Sequence, residues 1–175
     1  MKCHKDFEKS VNSCKNCPLK IKECPHHSIF LDSSIFLKII LRQSEDPKRK
    51  EEAFEKLKVN CVTYTSHLAI GEIFKVILEE FEKELEKNKR NAQELFRDNC
   101  DHVSILLKGV CLIEEDKEAI SNANEIITDG RGNRDSILLA TAVSHKCMSF
   151  FTCDRELVER TFPNNISDSI KIRLF

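Results

Sequence analysis

Ile29-Phe30-Leu31-Asp32-Ser33-Ser34 is a short apolar run that stops on a carboxylate and two hydroxyl residues. Consecutive apolar residues without alternation read as a strand buried on both faces. Asp32 or Ser33 can then cap a helix running to about Leu41. A buried strand that passes at once into a helix is the opening of an α/β unit, and the rest of the chain repeats that alternation.

Pro47 can open a helix through Leu57, and Cys61 to Thr65 reads as the second strand. Ser66 caps a long helix in which Ile70, Ile73, Phe74, Ile77, Leu78, Phe81 and Leu85 recur at helical spacing before the later turns become a Glu and Lys face. Val103 to Leu106 is expected to be a strand, Glu115 to Ile127 a helix, and Asp129 to Asn133 a loop. Ser136 to His145 is an apolar helix, Met148 to Thr152 a core strand, and Asp154 to Arg160 a short helix. Ile170 to Leu174 alternates apolar with basic residues, as a terminal edge strand does. Strands separated by helices imply a parallel sheet covered on both faces.

The chain has 175 residues, of which 41% are hydrophobic, enough for one compact core with a small appendage. Charged residues make up 33%, yet the net charge is only -1, so attraction for a polyanion has to come from local basic patches. No apolar stretch approaches the roughly 20 residues of a spanning helix, and no signal-like start is present; a cytosolic protein with no membrane partner is expected. The chain has no GxGxxG or GxxxxGK[ST] motif and only 4 glycines, which makes nucleotide binding by a glycine-rich loop improbable.

The 9 cysteines are unevenly placed. Cys3, Cys14, Cys17 and Cys24 crowd with His4, His26 and His27 into a polar opening segment broken by Pro18 and Pro25, whereas the other five lie in apolar surroundings. This divides the chain into a Cys/His-rich segment, residues 1–28, and a main domain, residues 29–175. An odd count without a secretory signal argues against a full disulfide framework. Cys14-Lys-Asn-Cys17 flanked by Cys3 and Cys24 suggests a structural zinc site, with a histidine able to replace one sulfur. An iron-sulfur cluster on the same thiols and a segment with free thiols are the alternatives.

Asp32, Glu72, Asp135 and Asp154 stand where a hydrophobic segment ends or a helix begins. Strand carboxyl ends line one crevice in an open α/β sheet, so these distant acids can converge there. Converging carboxylates repel unless a divalent cation neutralises them. Each also has an ordinary explanation: Asp32, Asp135 and Asp154 as helix caps, Glu72 as part of an exposed stripe. Glu72 nevertheless lies among Ile70 and Ile73, where a half-buried carboxylate is costly without a partner. Phosphodiester hydrolysis needs neutralised phosphate oxygens and a water activated near neutral pH, and Mg²⁺ or Mn²⁺ on carboxylates supplies both. The near absence of His and Cys from these contexts favours a hard cation.

Phe30-Leu-Asp32-Ser-Ser, Leu68-Ala-Ile-Gly-Glu72, Asp135-Ser-Ile-Leu-Leu-Ala-Thr-Ala-Val and Phe151-Thr-Cys-Asp154 occur in an order and separation that resembles the PIN-domain family of metal-dependent ribonucleases. That family includes the nuclease half of VapBC-type toxin-antitoxin pairs. The resemblance covers Ile29 to the C-terminus and implies a three-layer α/β/α sandwich around a parallel sheet. It further implies that Asp32, Glu72 and Asp135 ligate Mg²⁺ or Mn²⁺, directly or through water, and that Asp154 completes the site or holds a second ion. Ser33 and Thr152 are implied to orient the acids or a water. Arg131, Arg134 and Arg155, each next to a site acid, are candidates for substrate phosphates. A haloacid-dehalogenase-type phosphatase also opens on an acidic strand end, but as Asp-x-Asp, which Asp32-Ser33-Ser34 is not.

The activity so implied is endoribonucleolytic, in a toxin or RNA-processing role. Its partners would be RNA, an antitoxin or other protein, or a second copy of the chain. The competing expectation is a PIN-like module that keeps the fold but binds RNA or protein with little or no catalysis. Retention of all four acids favours the enzyme, while the added Cys-rich segment is unlike the bare domain of a typical toxin.

Overall fold

The computed structural model describes residues 28–41, 46–87, 89–126 and 133–175. Their elements run in the order β1 (Ser28–Leu31), α1 (Ser33–Ile40), α2 (Pro47–Asn60), β2 (Val62–Ser66), α3 (His67–Lys87) and α4 (Lys89–Leu106). There follow β3 (Cys111–Ile113), α5 (Lys117–Ile126), α6 (Asn133–Ser144), β4 (Ser149–Thr152), α7 (Arg155–Glu159), α8 (Asn164–Ser167) and β5 (Lys171–Leu174). The strands form one parallel sheet in the order β3-β2-β1-β4-β5 with helices on both faces, a three-layer α/β/α sandwich.

The central strands show why unbroken apolar runs mark this sheet. Phe30 pairs with Phe150 and Leu31 with Phe151 across β1 and β4. Successive side chains point to opposite faces, and each face is covered. Phe30 and Phe150, stacked at 5.3 Å and 8°, enter a core with Leu138, Leu139 and Ala142 of α6. Leu31 and Phe151 enter the other, with Ile35, Phe36, Phe54, Ile73 and Ile77 from α1, α2 and α3.

Val103 to Leu106, expected as a strand, is instead the last turn of α4. Buried or half-buried Ala92, Phe96, Asn99, Val103 and Leu106 recur every three or four residues, and this longer helical period overrides the strand preference of β-branched Val103 and Ile105 at its end. The third strand comes later, after a turn in which Gly109 takes φ 81°, a conformation that favours glycine. Asn133, assigned to a loop from sequence, already belongs to α6.

Among the described residues, Cys61, Cys100, Cys111, Cys147 and Cys153 are free. Burial pushes the thiol of Cys61 up to about 11 and that of Cys147 up to about 12, so both remain neutral and pack as small apolar groups. Cys111 departs from the apolar setting expected of it and is exposed. Cys3, Cys14, Cys17 and Cys24, with the proposed zinc or iron-sulfur site, lie outside the described residues, as does Arg131. No helix among the described residues is long and apolar enough to cross a membrane.

Candidate active site

The strand order creates the site. From β1 the sheet grows through β2 to β3 on one side and through β4 to β5 on the other, so β1 and β4 flank a topological switch point. Loops leaving the carboxyl ends of such a strand pair diverge and open a crevice. Asp32 follows β1 and Asp154 lies just beyond β4, at that crevice.

Asp32 occupies the N-cap position of α1, but its side chain makes no capping bond. Its carboxylate is only 5% exposed and is held by hydroxyls. Thr152 Oγ1 donates to Asp32 Oδ2 at 2.7 Å, and Ser34 Oγ donates to the same oxygen. Both hydroxyls are aimed by backbone amides beyond β4: Asp154 N–H donates to Thr152 Oγ1 at 3.0 Å, and Cys153 N–H donates to Ser34 Oγ at 2.9 Å. A donor fixed behind each hydroxyl commits its proton to Asp32. Ser33 Oγ donates to Glu72 Oε2 at 2.8 Å and lies 3.4 Å from Asp32 Oδ1, so it links the acids of α1's start and α3.

Glu72 is not on an exposed stripe. Its side chain is 15% exposed and pairs with Arg134 of α6 at 3.6 Å. Two anchors set the start of its helix: Ser66 Oγ accepts from Ala69 N–H at 3.2 Å, and Glu115 Oε1, beyond β3, accepts from Leu68 N–H at 2.9 Å. The helix-cap reading holds in full for Asp154, whose Oδ1 accepts from Glu156 N–H at 2.8 Å and Leu157 N–H at 3.3 Å.

Asp135 stands inside the first turn of α6 and carries the electrostatic signature of the site. Its carboxyl is pushed up from about 3.8 to about 6, first by burial and then by the negative charges of Asp32, Asp154 and Glu72, while Arg160 opposes the rise. The four acids therefore share one electrostatic environment. Among the described residues, however, no group of three His, Cys, Asp or Glu side chains is arranged to hold an ion. This donor set suits a hard cation that keeps much of its water, as Mg²⁺ does with one or two carboxylates, better than a fully stripped one.

The sequence reading missed Ser34 and Arg160. Ser34 could have been found from its place two residues after Asp32, the start of a helix turn, where a hydroxyl can fold back onto the acid. Arg160 offers no such signal, because α7 lies between it and Asp154. Arg155 is exposed, with no side-chain partner among those described.

The raised pKa of Asp135 predicts how the metal-free protein responds to pH. The folded state holds this proton up to about pH 6, whereas an unfolded Asp releases it near pH 4. The contribution to stability is thus present below about pH 4 and is lost as pH rises through about pH 6. In EDTA, Asp135→Asn should raise the thermal midpoint by about 2–4 °C at about pH 8, corresponding to roughly 1 kcal/mol after solvent screening. At about pH 3, where the Asp135 carboxyl would be protonated in the folded and the unfolded chain alike, the gain should vanish. A variant no more stable than the parent at about pH 8 would mean that the four charges do not interact as described.

Comparison with known proteins agrees with this architecture. The PIN domain profile matches residues 29–163. No curated protein matches the chain significantly. Among solved structures, VapBC2 from Rickettsia felis bound to a DNA fragment from its promoter aligns at 16% identity and TM-score 0.58, covering 84% of this chain and 98% of that one. DNA-bound VapBC from Salmonella typhimurium aligns at 19% and 0.57, covering 84% and 97%. Mycobacterium tuberculosis VapC20, a sarcin-ricin-loop-cleaving toxin, aligns at 16% and 0.55, covering 78% and 97%. At such identities the structures attest a shared fold, but the profile runs from β1 through α7, across the whole stretch that carries the four acids, and on that match the chain belongs to the PIN domain family.

Proposed function

We propose that the protein is a metal-dependent endoribonuclease whose four acids, Asp32, Glu72, Asp135 and Asp154, hold Mg²⁺ or Mn²⁺. The observation that carries this reading is the convergence of acids at the carboxyl ends of β1 and β4, where Ser33 bridges Glu72 and Asp32, Thr152 holds Asp32, and the charges of Asp32, Asp154 and Glu72 act on Asp135. Acids held together without a compensating cation destabilise a fold, and a divalent ion turns that cost into affinity. When bound, the ion supplies neutralisation of phosphate oxygens and a water acidic enough to attack near neutral pH.

The chain's own groups prepare the site. Thr152 and Ser34 hold Asp32 in one orientation, and Ser33 ties Glu72 to it. Arg134, 56% exposed and loosely paired with Glu72, can turn to a substrate phosphate at little cost. Arg155, next to Asp154, can make a second phosphate contact. A protein partner of the antitoxin kind, as in the VapBC complexes that share the fold, or a second copy of the chain, completes the proposal.

The second reading, a PIN-like binding module with weak or no catalysis, draws on the finding that no three of these ligand-type side chains are arranged to hold an ion among the described residues. Incubating the full chain with a panel of RNAs in Mn²⁺ and in EDTA separates the two. Cleavage in Mn²⁺ that stops in EDTA supports the nuclease; RNA binding with no cleavage in Mn²⁺ supports the module.

A further inference from the structure

The net charge of -1 conceals two grooves of opposite character. One, of about 560 Å³, lies between the end of α1 and the α3 and α4 helices; Glu80, Glu84, Asp98 and Asp101 line it, and among the described residues no Lys or Arg does. The other, of about 710 Å³, runs along α7, α8 and the edge strand β5. Arg160, Lys171 and Arg173 line it, with no Asp or Glu among the described residues; Glu159 and Asp168 are close in sequence but are not among its lining residues. A chain with almost balanced charge has thus placed cations in one cleft and acids in another.

One end of the basic groove, at Leu174, lies beside the carboxylate site. β5 runs parallel to β4, Leu174 pairs with Thr152, and Phe175 N–H donates to the Thr152 carbonyl at 2.8 Å, so the carboxyl end of β5 lies beside the residue that holds Asp32. Arg160 belongs to both places, since it lines the groove and its charge acts on Asp135. Arg173 donates through Nε to Ser149 Oγ at 3.2 Å, which fixes one edge of its guanidinium. A fixed planar cation gives up less entropy when it takes a phosphate.

We infer that this groove receives the sugar-phosphate backbone of single-stranded RNA and leads it into the acidic site, an assignment that rests on the nuclease reading above for the choice of RNA. Arg160, Lys171 and Arg173 contact successive phosphates. The half-buried ring of Phe162, on the groove wall, offers a face on which an unpaired base can stack. Cations that track a backbone beside an aromatic ring are the recognition mode of single strands. A duplex keeps its bases paired and stacked inside and has none to offer the ring.

The test uses the full chain in EDTA, so that no turnover intervenes, with a fluorescein-labelled oligouridylate of about a dozen nucleotides. Anisotropy is measured across a salt series. Lys171→Gln combined with Arg173→Gln should weaken binding roughly tenfold and make the log–log salt slope shallower by about 1.4, about 0.7 for each phosphate no longer neutralised. Lys171→Gln alone, at an exposed side chain that leaves the Arg173–Ser149 bond intact, should give about half that change in slope. Asp98→Asn with Asp101→Asn, in the acidic groove, should leave the slope unaltered. Wild-type protein that does not bind the oligomer, variants with the parental slope, or equally tight binding of a matched duplex would each overturn the assignment. The outcomes stay separate from the nuclease question: wild-type chain inert in Mn²⁺ with charge-dependent binding intact would remove only the catalysis. Active wild-type chain with unaltered variant binding would remove only the groove.

Discussion

Asp32→Asn should lower Mn²⁺-dependent RNA cleavage by about a hundredfold or more while the fold is kept. The substitution preserves shape at a position only 5% exposed and removes one negative charge from the four that act together. The hydroxyls of Thr152 and Ser34 are committed as donors toward Oδ2, and the carbonyl oxygen of an Asn can accept from them. The loss therefore falls on charge rather than on packing. Ser34→Ala gives a graded comparison, since it removes a hydroxyl that positions Asp32 and leaves every carboxylate in place. Its expected loss is about tenfold, the lower end of what outer partners of metal ligands contribute. Steady-state cleavage in Mn²⁺ with the thermal midpoint measured in parallel checks both, and an Asp32→Asn variant with parental activity would remove the carboxylate mechanism.

Phe150→Ala should destabilise the protein by about 3–5 kcal/mol, the range for deleting a large buried ring and leaving a cavity. Phe150 has no solvent exposure, stacks on Phe30, and lies on β4 between β1 and β5. Since a domain commonly has only about 5–15 kcal/mol of stability in total, the variant should show a much lower urea midpoint or fail to accumulate as soluble protein. Met148→Ala, at a side chain 41% exposed just ahead of the same strand, should cost only about 0.5 kcal/mol. A urea midpoint for Phe150→Ala no lower than that of Met148→Ala would contradict the described core.

The carboxylates were legible because each follows a local pattern. Asp32 and Asp154 come just after buried strands, and Asp135 and Glu72 stand early in apolar helices. What sequence left open was the use of each acid. The cap alternative proved correct for Asp154, with two amides on its Oδ1, and incorrect for the side chain of Asp32, which serves hydroxyls instead. The backbone around both is extended and enters a helix in the same way. The difference comes from partners outside the segment, because Thr152 reaches Asp32 from 120 residues away. The misplacement of the third strand has a complementary cause. Val103-Ser104-Ile105-Leu106 suits a strand by residue type, and only the period extending back to Ala92 shows that it belongs to α4.

Composition and periodicity by themselves determined that β1 and β4 are buried strands, that helices cover the sheet on both faces, and that acids stand at the strand ends. These properties depend on side-chain period and size over a few neighbouring residues. Tertiary structure alone decided the order β3-β2-β1-β4-β5, and with it the crevice between β1 and β4. It also decided the recruitment of Ser34 and Arg160, the pKa of Asp135, and the sorting of cations and acids into separate grooves. Burial and Coulomb interaction depend on distance through space, and groups far apart along the chain become neighbours only when the sheet closes around them.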